Sequence, residues 1–469
     1  MIFNSFSFLV FLALTLCAVP FLPSPWRVFS LVFLSYLFYA AANPSWLLIL
    51  VFCTLLNYCL ARWIGGATRL AARRTGLVLS CAGNIGLLFF FKYVEFAAST
   101  ATSLLRVAGI EASLPVAGPE LPLGISFFIF ESVSYAVDVY SRRLPPARRL
   151  WDYALFIAFF PHLVAGPIVR ARDFLPQIAA HRPLRRRATI SAMELIVLGM
   201  FKKVVIADNI GPEADSLFAV GDLLSGAQGW SAAMLFAVQI YCDFSGYTDI
   251  ARGLARLFGF ELGINFLWPY FSRSMREFWR HWHISLSTWL RDYLYIPLGG
   301  SRKGVARMIA AMLVTWFLGG LWHGAAWHFV AWGVYHGLLV LLGAILAPSL
   351  GPLWRGLGKW GQIAATFALV CIGWVFFRAP DMSGALTMIS RMLAPWRPDF
   401  YAGATLAPFA LIAALAGLHV VSRRLYGGGD RSSVLVRLPY GARLAIVSGL
   451  MVASVIFAGK QQSFIYFQF

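Results

Sequence analysis

The chain has 469 residues, is 59% hydrophobic and only 13% charged, and carries 40 Phe and 17 Trp with a mean hydropathy of +0.72. A soluble domain runs nearer 45–50% apolar and about 25% charged, so composition excludes one and predicts an integral membrane protein. The net charge of +19, from 39 basic and 20 acidic residues, is not a nucleic-acid footprint, because the bases gather between apolar runs as positive-inside topology requires.

Residues 1–26, 28–61, 75–91 and 308–354 contain no Asp, Glu, Lys or Arg. Each run holds one or two helices of about 17–25 residues, the length that crosses a hydrocarbon core about 30 Å thick. The alternation over about ten residues that marks a barrel strand is missing, so an all-α membrane protein is expected. The first run has no basic residue beside Met1 and ends in "AVPFLPSPWR", which favours a first span over a cleaved signal peptide.

In chain order, spans are predicted at 3–22, 28–41 and 45–61, interrupted by "PSPW" and "NPSW". Placing the basic segment 62–74 in the cytoplasm puts the amino terminus outside. A span at 76–93 leads to an outer segment, 95–120, with Glu95, Glu111 and Glu120, and a span at 122–140 returns to the basic "SRRLPPARR". Residues 151–169, "WDYALFIAFFPHLVAGPIV", are apolar but interrupted by Pro161, His162, Gly166 and Pro167. A kinked or re-entrant element is expected there, since proline breaks the helix and the freed backbone must be covered by protein or water.

Further spans follow at 189–207 and 229–252. Residues 263–300 are too charged to cross lipid and too aromatic for a solvated loop, which predicts an interfacial helix pair. Spans at 305–322, 326–347, 360–378, 403–422 and 440–458, with a shorter apolar piece at 383–393, complete a single polytopic domain, 1–469, of roughly eleven crossings. No period of about 20–50 residues appears, which excludes a solenoid. Cys17, Cys53, Cys59, Cys81, Cys242 and Cys371 lie in apolar stretches without CxxC spacing, so they are read as packing residues and not as a disulfide frame or zinc site.

The segment "GGLWHGAAWHFVAWGVYHG", 319–337, places His323, His328 and His336 where no charged residue occurs. Ionisable groups in hydrocarbon are costly and call for a partner or a chemical role. On one continuous helix, at about 100° per residue, His323 and His328 diverge by about 140°, His328 and His336 by about 80°, and His281 and His283 by about 200°. These spacings build no metal site, and HExxH is absent. His323 lies about 23 Å along a helix from Met308, deep in the membrane from the basic side. Its neutral imidazole can take a proton from a hydroxyl or thiol and return it, or can serve as an interhelical hydrogen-bonding residue.

An orienting carboxylate for His323 must come from outside 293–380, and the acids in or beside apolar segments are Glu131, Asp138, Asp243 and Asp249. Asp243 and Asp249 flank Ser245 and Tyr247 six positions apart, and either acid can simply pair with a helix arginine. A Ser287–His283–Asp292 triad is not supported by spacing alone, and no GxSxG elbow accompanies it. Trp279, Trp282 and Trp289 are read as interface-lining. Arg273, Arg276, Arg280 and Arg291 are read as facing lipid headgroups ahead of ligand phosphates.

"DFSGYTDIARG" (243–253), "NFLWPYFSRSMREFWRHWHISLSTWLRDYLYIPLGG" (265–300) and "GLWHG" (320–324) resemble, in order and spacing, the signature of the membrane-bound O-acyltransferase superfamily, in particular its bacterial polysaccharide branch. The start "MIFNSFSFLVFL", "LPLGISFFIFESVSYAVDVY" and "PHLVAGPIVR" extend the resemblance over the whole chain. The resemblance implies about eleven spans with re-entrant helices, hollowed by a funnel from each side that meet near an essential histidine. Carried over by motif, that residue is His323, with His283 in "WHISLS" as the second catalytic histidine.

Within the same motifs Asp243, Ser245, Tyr247, Asn265, Trp279, Arg280, Ser285, Asp292 and Trp322 are the candidate substrate-binding positions. The implied activity moves acetyl from cytoplasmic acetyl-CoA, with no bound cofactor or metal, to an extracytoplasmic polysaccharide by way of a periplasmic hydrolase-like partner. The implied location is the bacterial inner membrane. His281 in "RHWH" stands where this branch commonly carries a second arginine, a departure that either weakens a phosphate contact there or has no consequence. D-alanyl or other acyl transfer within the superfamily is the nearest alternative. A transporter or flippase is the competing class; it predicts pseudo-symmetric halves, and no inverted repeat is visible.

Overall fold

A computed structural model describes residues 3, 5–111, 113–180, 186–221, 224–399, 401–403, 410–414, 417, 438–458, 462, 464 and 465. All regular structure among the described residues is helical. Among the described residues, five stretches are long and apolar enough to cross a membrane: Pro44–Gly66, Leu70–Val107, Val305–His323, Trp327–Ile345 and Gly358–Arg378. Phe6–Phe21 and Tyr440–Ile456 are apolar but shorter. Most of the span expected at 403–422 lies outside the described residues. The chain divides into two compact units, Met1–Ala192 with Ala251–Gly263, and Met193–Ile250 with Ile264–Phe469.

The first unit begins with α1 (Phe6–Ala18), α2 (Ser24–Ala40), α3 (Pro44–Gly66) and α4 (Leu70–Leu88). Asn43 starts α3 by accepting a hydrogen bond from Ser45 N–H at 3.0 Å, with Pro44 at the first helical position, where its missing N–H costs nothing. Between α3 and α4, Ser80 Oγ and Asn84 Nδ2 donate to Asn57 Oδ1 at 2.8 and 2.7 Å, and Asn57 Nδ2 donates back to Asn84 Oδ1 at 3.1 Å. Such buried side-chain bonds hold apolar helices together at roughly 0.6 kcal/mol each.

A π-helical turn, Phe89–Tyr93, carries the chain from α4 into α5 (Val94–Val107). The outer segment predicted from residue 95 therefore starts as helix and leaves it only after Val107. Neither Lys92 nor Glu95 interrupts the helix.

After α6 (Ile125–Tyr140), α7 (Leu150–Ala158) stops where Phe159 leaves helical geometry at φ −55°, ψ 108°. A single turn, α8 (Phe160–Leu163), precedes α9 (Ala171–Ala180). The predicted break is present, and 153–171 are all buried. Side chains satisfy the freed backbone: Phe160 N–H donates to Ser35 Oγ at 3.1 Å, and Val169 N–H to Glu131 Oε1 at 2.8 Å. That carboxylate oxygen also lies 3.4 Å from His162 Nδ1. Buried backbone donors are seldom left unmet, and here Glu131 meets one from another helix.

α10 (Arg186–Met200) continues through a π turn, Phe201–Ala207, into α11 (Asp208–Val220), so the helix runs past the predicted end at 207. α12 (Gly226–Leu257) has 32 residues. The second unit then holds α13 (Met275–His281), α14 (Ile284–Leu290), α15 (Val305–His323), α16 (Trp327–Ile345), α17 (Ala347–Gly356), α18 (Gly358–Arg378), α19 (Met382–Met392) and α20 (Tyr440–Ile456). The aromatic stretch 263–300 contains the short helix pair expected of it, α13 and α14. The core of this unit is built on Trp279, Trp282, Trp332, Trp374 and Phe377.

Candidate functional site

α15 ends at His323 because Gly324 turns extended, at φ −159°, ψ 148°. α16 starts three residues later and packs against α15 almost backbone to backbone. A Cβ added at Gly320 would fall 2.3 Å from the Phe329 carbonyl oxygen, and one at Gly333 would fall 2.2 Å from that of Trp316. Glycine is the residue type that permits this approach. The break at 324–326 also invalidates the angular comparison of His323 with His328, which assumed one continuous helix.

The three histidines of this segment have separate surroundings. His328 Nδ1 donates to the Phe376 carbonyl at 2.9 Å, since a carbonyl oxygen only accepts. His336 is fully buried with its ring 5.2 Å from Trp279 and 5.0 Å from Trp332. His323 is 5% exposed. Its ring meets Trp332 edge-on at 4.8 Å, Trp322 at 4.9 Å and Phe377 at 5.3 Å.

The second catalytic candidate sits in another break. α13 ends at His281, Trp282 is extended, and His283 takes the left-handed conformation, φ 41°, ψ 55°, before α14 begins. A non-glycine residue held there stores strain, of order 1–3 kcal/mol, that its surroundings must over-determine. They do so through Asn265. The Asn265 backbone carbonyl accepts from Ile284 N–H at 3.0 Å, and Oδ1 accepts from Ser285 N–H at 3.1 Å and Ser285 Oγ at 2.9 Å. These are donors at the start of α14 that a helix cap would otherwise satisfy. Asn265 Oδ1 also lies 3.2 Å from His283 Nδ1.

The His283 ring meets Phe244 edge-on at 4.7 Å and Trp322 at 6.0 Å. Trp322 thus has ring contacts with both His283 and His323. His283 is completely buried and lies outside the five candidate spans, and burial pushes its imidazole down to about 3. The ring is neutral.

The structure therefore gathers His323, His283, Trp322, Asn265 and Ser285 into one neighbourhood. Trp279 joins its edge through Trp332, at 5.6 Å. Asp243, Ser245 and Tyr247 are buried on α12 beside Phe244, but Asp243 has a different set of contacts. Lys203 Nζ lies 2.7 Å from both Asp243 Oδ1 and Asp208 Oδ1, and Ile465 N–H donates to Asp243 Oδ2 at 2.7 Å. The Tyr247 ring lies 4.6 Å from that of Phe464. Asp249 is paired to Lys202 at 2.7 Å. Both aspartates thus have a lysine among their partners, a structural pairing of the kind the sequence allowed with a helix arginine.

Arg280 is exposed, and Asp292 accepts from the Arg291 guanidinium at 2.7 Å. Ser287 Oγ donates to the Trp282 carbonyl at 3.1 Å. Phe244, Trp332 and Phe377, which line the two histidines, went unflagged. Lys202 and Lys203 did as well, although adjacent lysines inside the apolar run 189–207 are a readable demand for buried carboxylates.

Residues 130–376 match the family model described as MBOAT, membrane-bound O-acyltransferase family. The chain is 40% identical over 396 residues to a probable alginate O-acetylase, AlgI, of Azotobacter vinelandii, covering 84% of this chain and 78% of that protein. It is 34% identical to a peptidoglycan O-acetyltransferase of Helicobacter pylori over 80% of this chain and 74% of the other. A teichoic acid D-alanyltransferase of Bacillus subtilis is 29% identical over 54% of this chain and 68% of its own length.

Proposed function

The chain belongs to the membrane-bound O-acyltransferase family, and from that premise we propose that it takes acetyl from cytoplasmic acetyl-CoA and passes it across the inner membrane toward an extracytoplasmic polysaccharide. As a member of this family it is an acyltransferase, and its relatives named as O-acetylases and O-acetyltransferases support membrane O-acetyl transfer. The transporter reading gives way to an enzyme. The roughly eleven crossings and the re-entrant arrangement belong to the proposal, beyond the five apolar spans described.

In this reading His323 is the general base. An acceptor hydroxyl, or the thiol or hydroxyl of a relay, gives its proton to the imidazole and attacks the thioester carbonyl. The new bond to the acetyl carbon forms as the carbon–sulfur bond breaks, and the coenzyme A thiolate leaves and takes up a proton. His283 orients donor or acceptor, and a periplasmic hydrolase-like partner receives the acetyl group. The observation that carries this reading is that both motif histidines contact Trp322 in a buried aromatic neighbourhood. Such a setting excludes water, and hydrolysis of a thioester would compete wherever water entered.

Purified protein in sealed proteoliposomes, given [14C]acetyl-CoA or a [14C]D-alanyl donor on the basic-loop side, tests the donor. Acetyl transfer without D-alanyl transfer is expected; the reverse assigns the D-alanyl alternative.

A further inference from the structure

The donor and acceptor roles around His283 fix more than its position. Ser285 contributes a backbone N–H, which can only donate, and it points at Asn265 Oδ1 from 3.1 Å. That settles which end of the Asn265 amide faces the loop, because an amide NH2 placed there would set donor against donor. The same oxygen lies 3.2 Å from His283 Nδ1. An oxygen already committed as acceptor requires a proton on its partner, so Nδ1 is the protonated nitrogen of the neutral ring.

We infer that Asn265 is a positioning residue that holds the His283 proton on Nδ1, leaving Nε2 as the nitrogen with the lone pair. The consequence is a specificity of role. In this tautomer Nε2 accepts hydrogen bonds and cannot give one, so His283 meets a ligand through a hydroxyl, thiol or amide N–H. It does not polarise the thioester carbonyl or stabilise the oxyanion formed there. Dissolved neutral histidine favours the opposite tautomer, with the proton on Nε2, and the Asn265 oxygen overturns that preference.

Asn265 also imposes the left-handed backbone of His283 through Ile284 N–H and Ser285 N–H. One side chain and its own carbonyl thus set the ring's place and its protonation pattern together. The assignment of a role in transfer rests on the function proposed above; the tautomer does not.

Magic-angle-spinning NMR of the full-length protein in lipid, with 13C,15N-labelled histidine, reads the tautomer directly, and the His283 signal is identified by its loss in His283→Gln. The proton is expected on Nδ1 in the wild type and in Asn265→Asp, which keeps an acceptor oxygen, and on Nε2 in Asn265→Ala. Acetyl transfer is expected to fall about tenfold or more in Asn265→Ala and to recover in Asn265→Asp. A wild-type proton on Nε2, or an unchanged tautomer in Asn265→Ala, overturns the inference, and the wild-type spectrum decides even if the variants fold poorly. A shifted tautomer in Asn265→Ala with undiminished transfer leaves the tautomer assignment standing and refutes a role for His283 in the reaction.

Discussion

Replacing Gly333 with alanine tests how the His323 site is held. The new methyl would lie 2.2 Å from the Trp316 carbonyl oxygen, 2.9 Å from Gly320 N and 3.0 Å from Gly320 Cα. All three are backbone atoms of α15, so no side-chain rotation relieves the contact. Restoring ordinary van der Waals distances, roughly 3.5 Å, moves the two helices apart by about 1 Å. Overpacking of this kind costs about 1–3 kcal/mol.

The larger effect falls on function, because α15 carries His323 three residues beyond Gly320 and its ring is seated against Trp332 on α16. A displacement of about 1 Å at a reacting centre can cost on the order of a hundredfold in rate. Acetyl transfer in membranes, normalised to protein and read beside thermal unfolding in detergent, should show a folded, modestly destabilised protein whose rate has fallen by about that factor. Wild-type rate and wild-type stability together would refute the close approach of α15 and α16.

Lys203→Met strands Asp208 and Asp243 without their buried cation, a loss of about 3–5 kcal/mol; thermal unfolding should register it, and Lys203→Arg should recover part of it. Glu131→Ala leaves Val169 N–H and His162 unmet at about 1–3 kcal/mol, whereas Glu131→Gln keeps an acceptor oxygen, so unfolding should place the glutamine variant nearer the wild type. Because burial pushes His283 down to about 3, its ring stays neutral throughout pH 5–9. Comparing rate–pH profiles of wild type and His283→Gln should show a lower rate and no lost inflection, and an inflection near neutrality that vanishes in the variant would contradict a neutral His283.

Charge-free runs and Pro161 were enough to locate α3, α15, α16 and α18 and the break after Ala158, because solvation cost and proline geometry act on local sequence. What escaped local reading depends on partners distant in the chain. The π turn at Phe89–Tyr93 extends helix into a segment whose glutamates suggested an outer loop. Lys202 and Lys203 find Asp249 and Asp243 some 40 to 50 positions away, a pairing that helix periodicity does not encode. At the site, the motifs located His323 and His283. The angular comparisons that involve these two do not apply, because both stand at helix breaks, one before Gly324 and one in a left-handed turn, whereas that of His328 with His336 holds on the continuous α16. Asn265 was visible as a motif residue, but its grip on the start of α14 appears only when the 18 positions separating it from His283 are folded together.

Removal of the acceptor proton by His323 is put to the proof by His323→Ala in proteoliposomes supplied with [14C]acetyl-CoA and an acceptor. The variant should insert and unfold like the wild type and transfer acetyl at least about a hundredfold more slowly, the usual worth of a general base. Transfer at the wild-type rate by that variant would contradict a base role for His323.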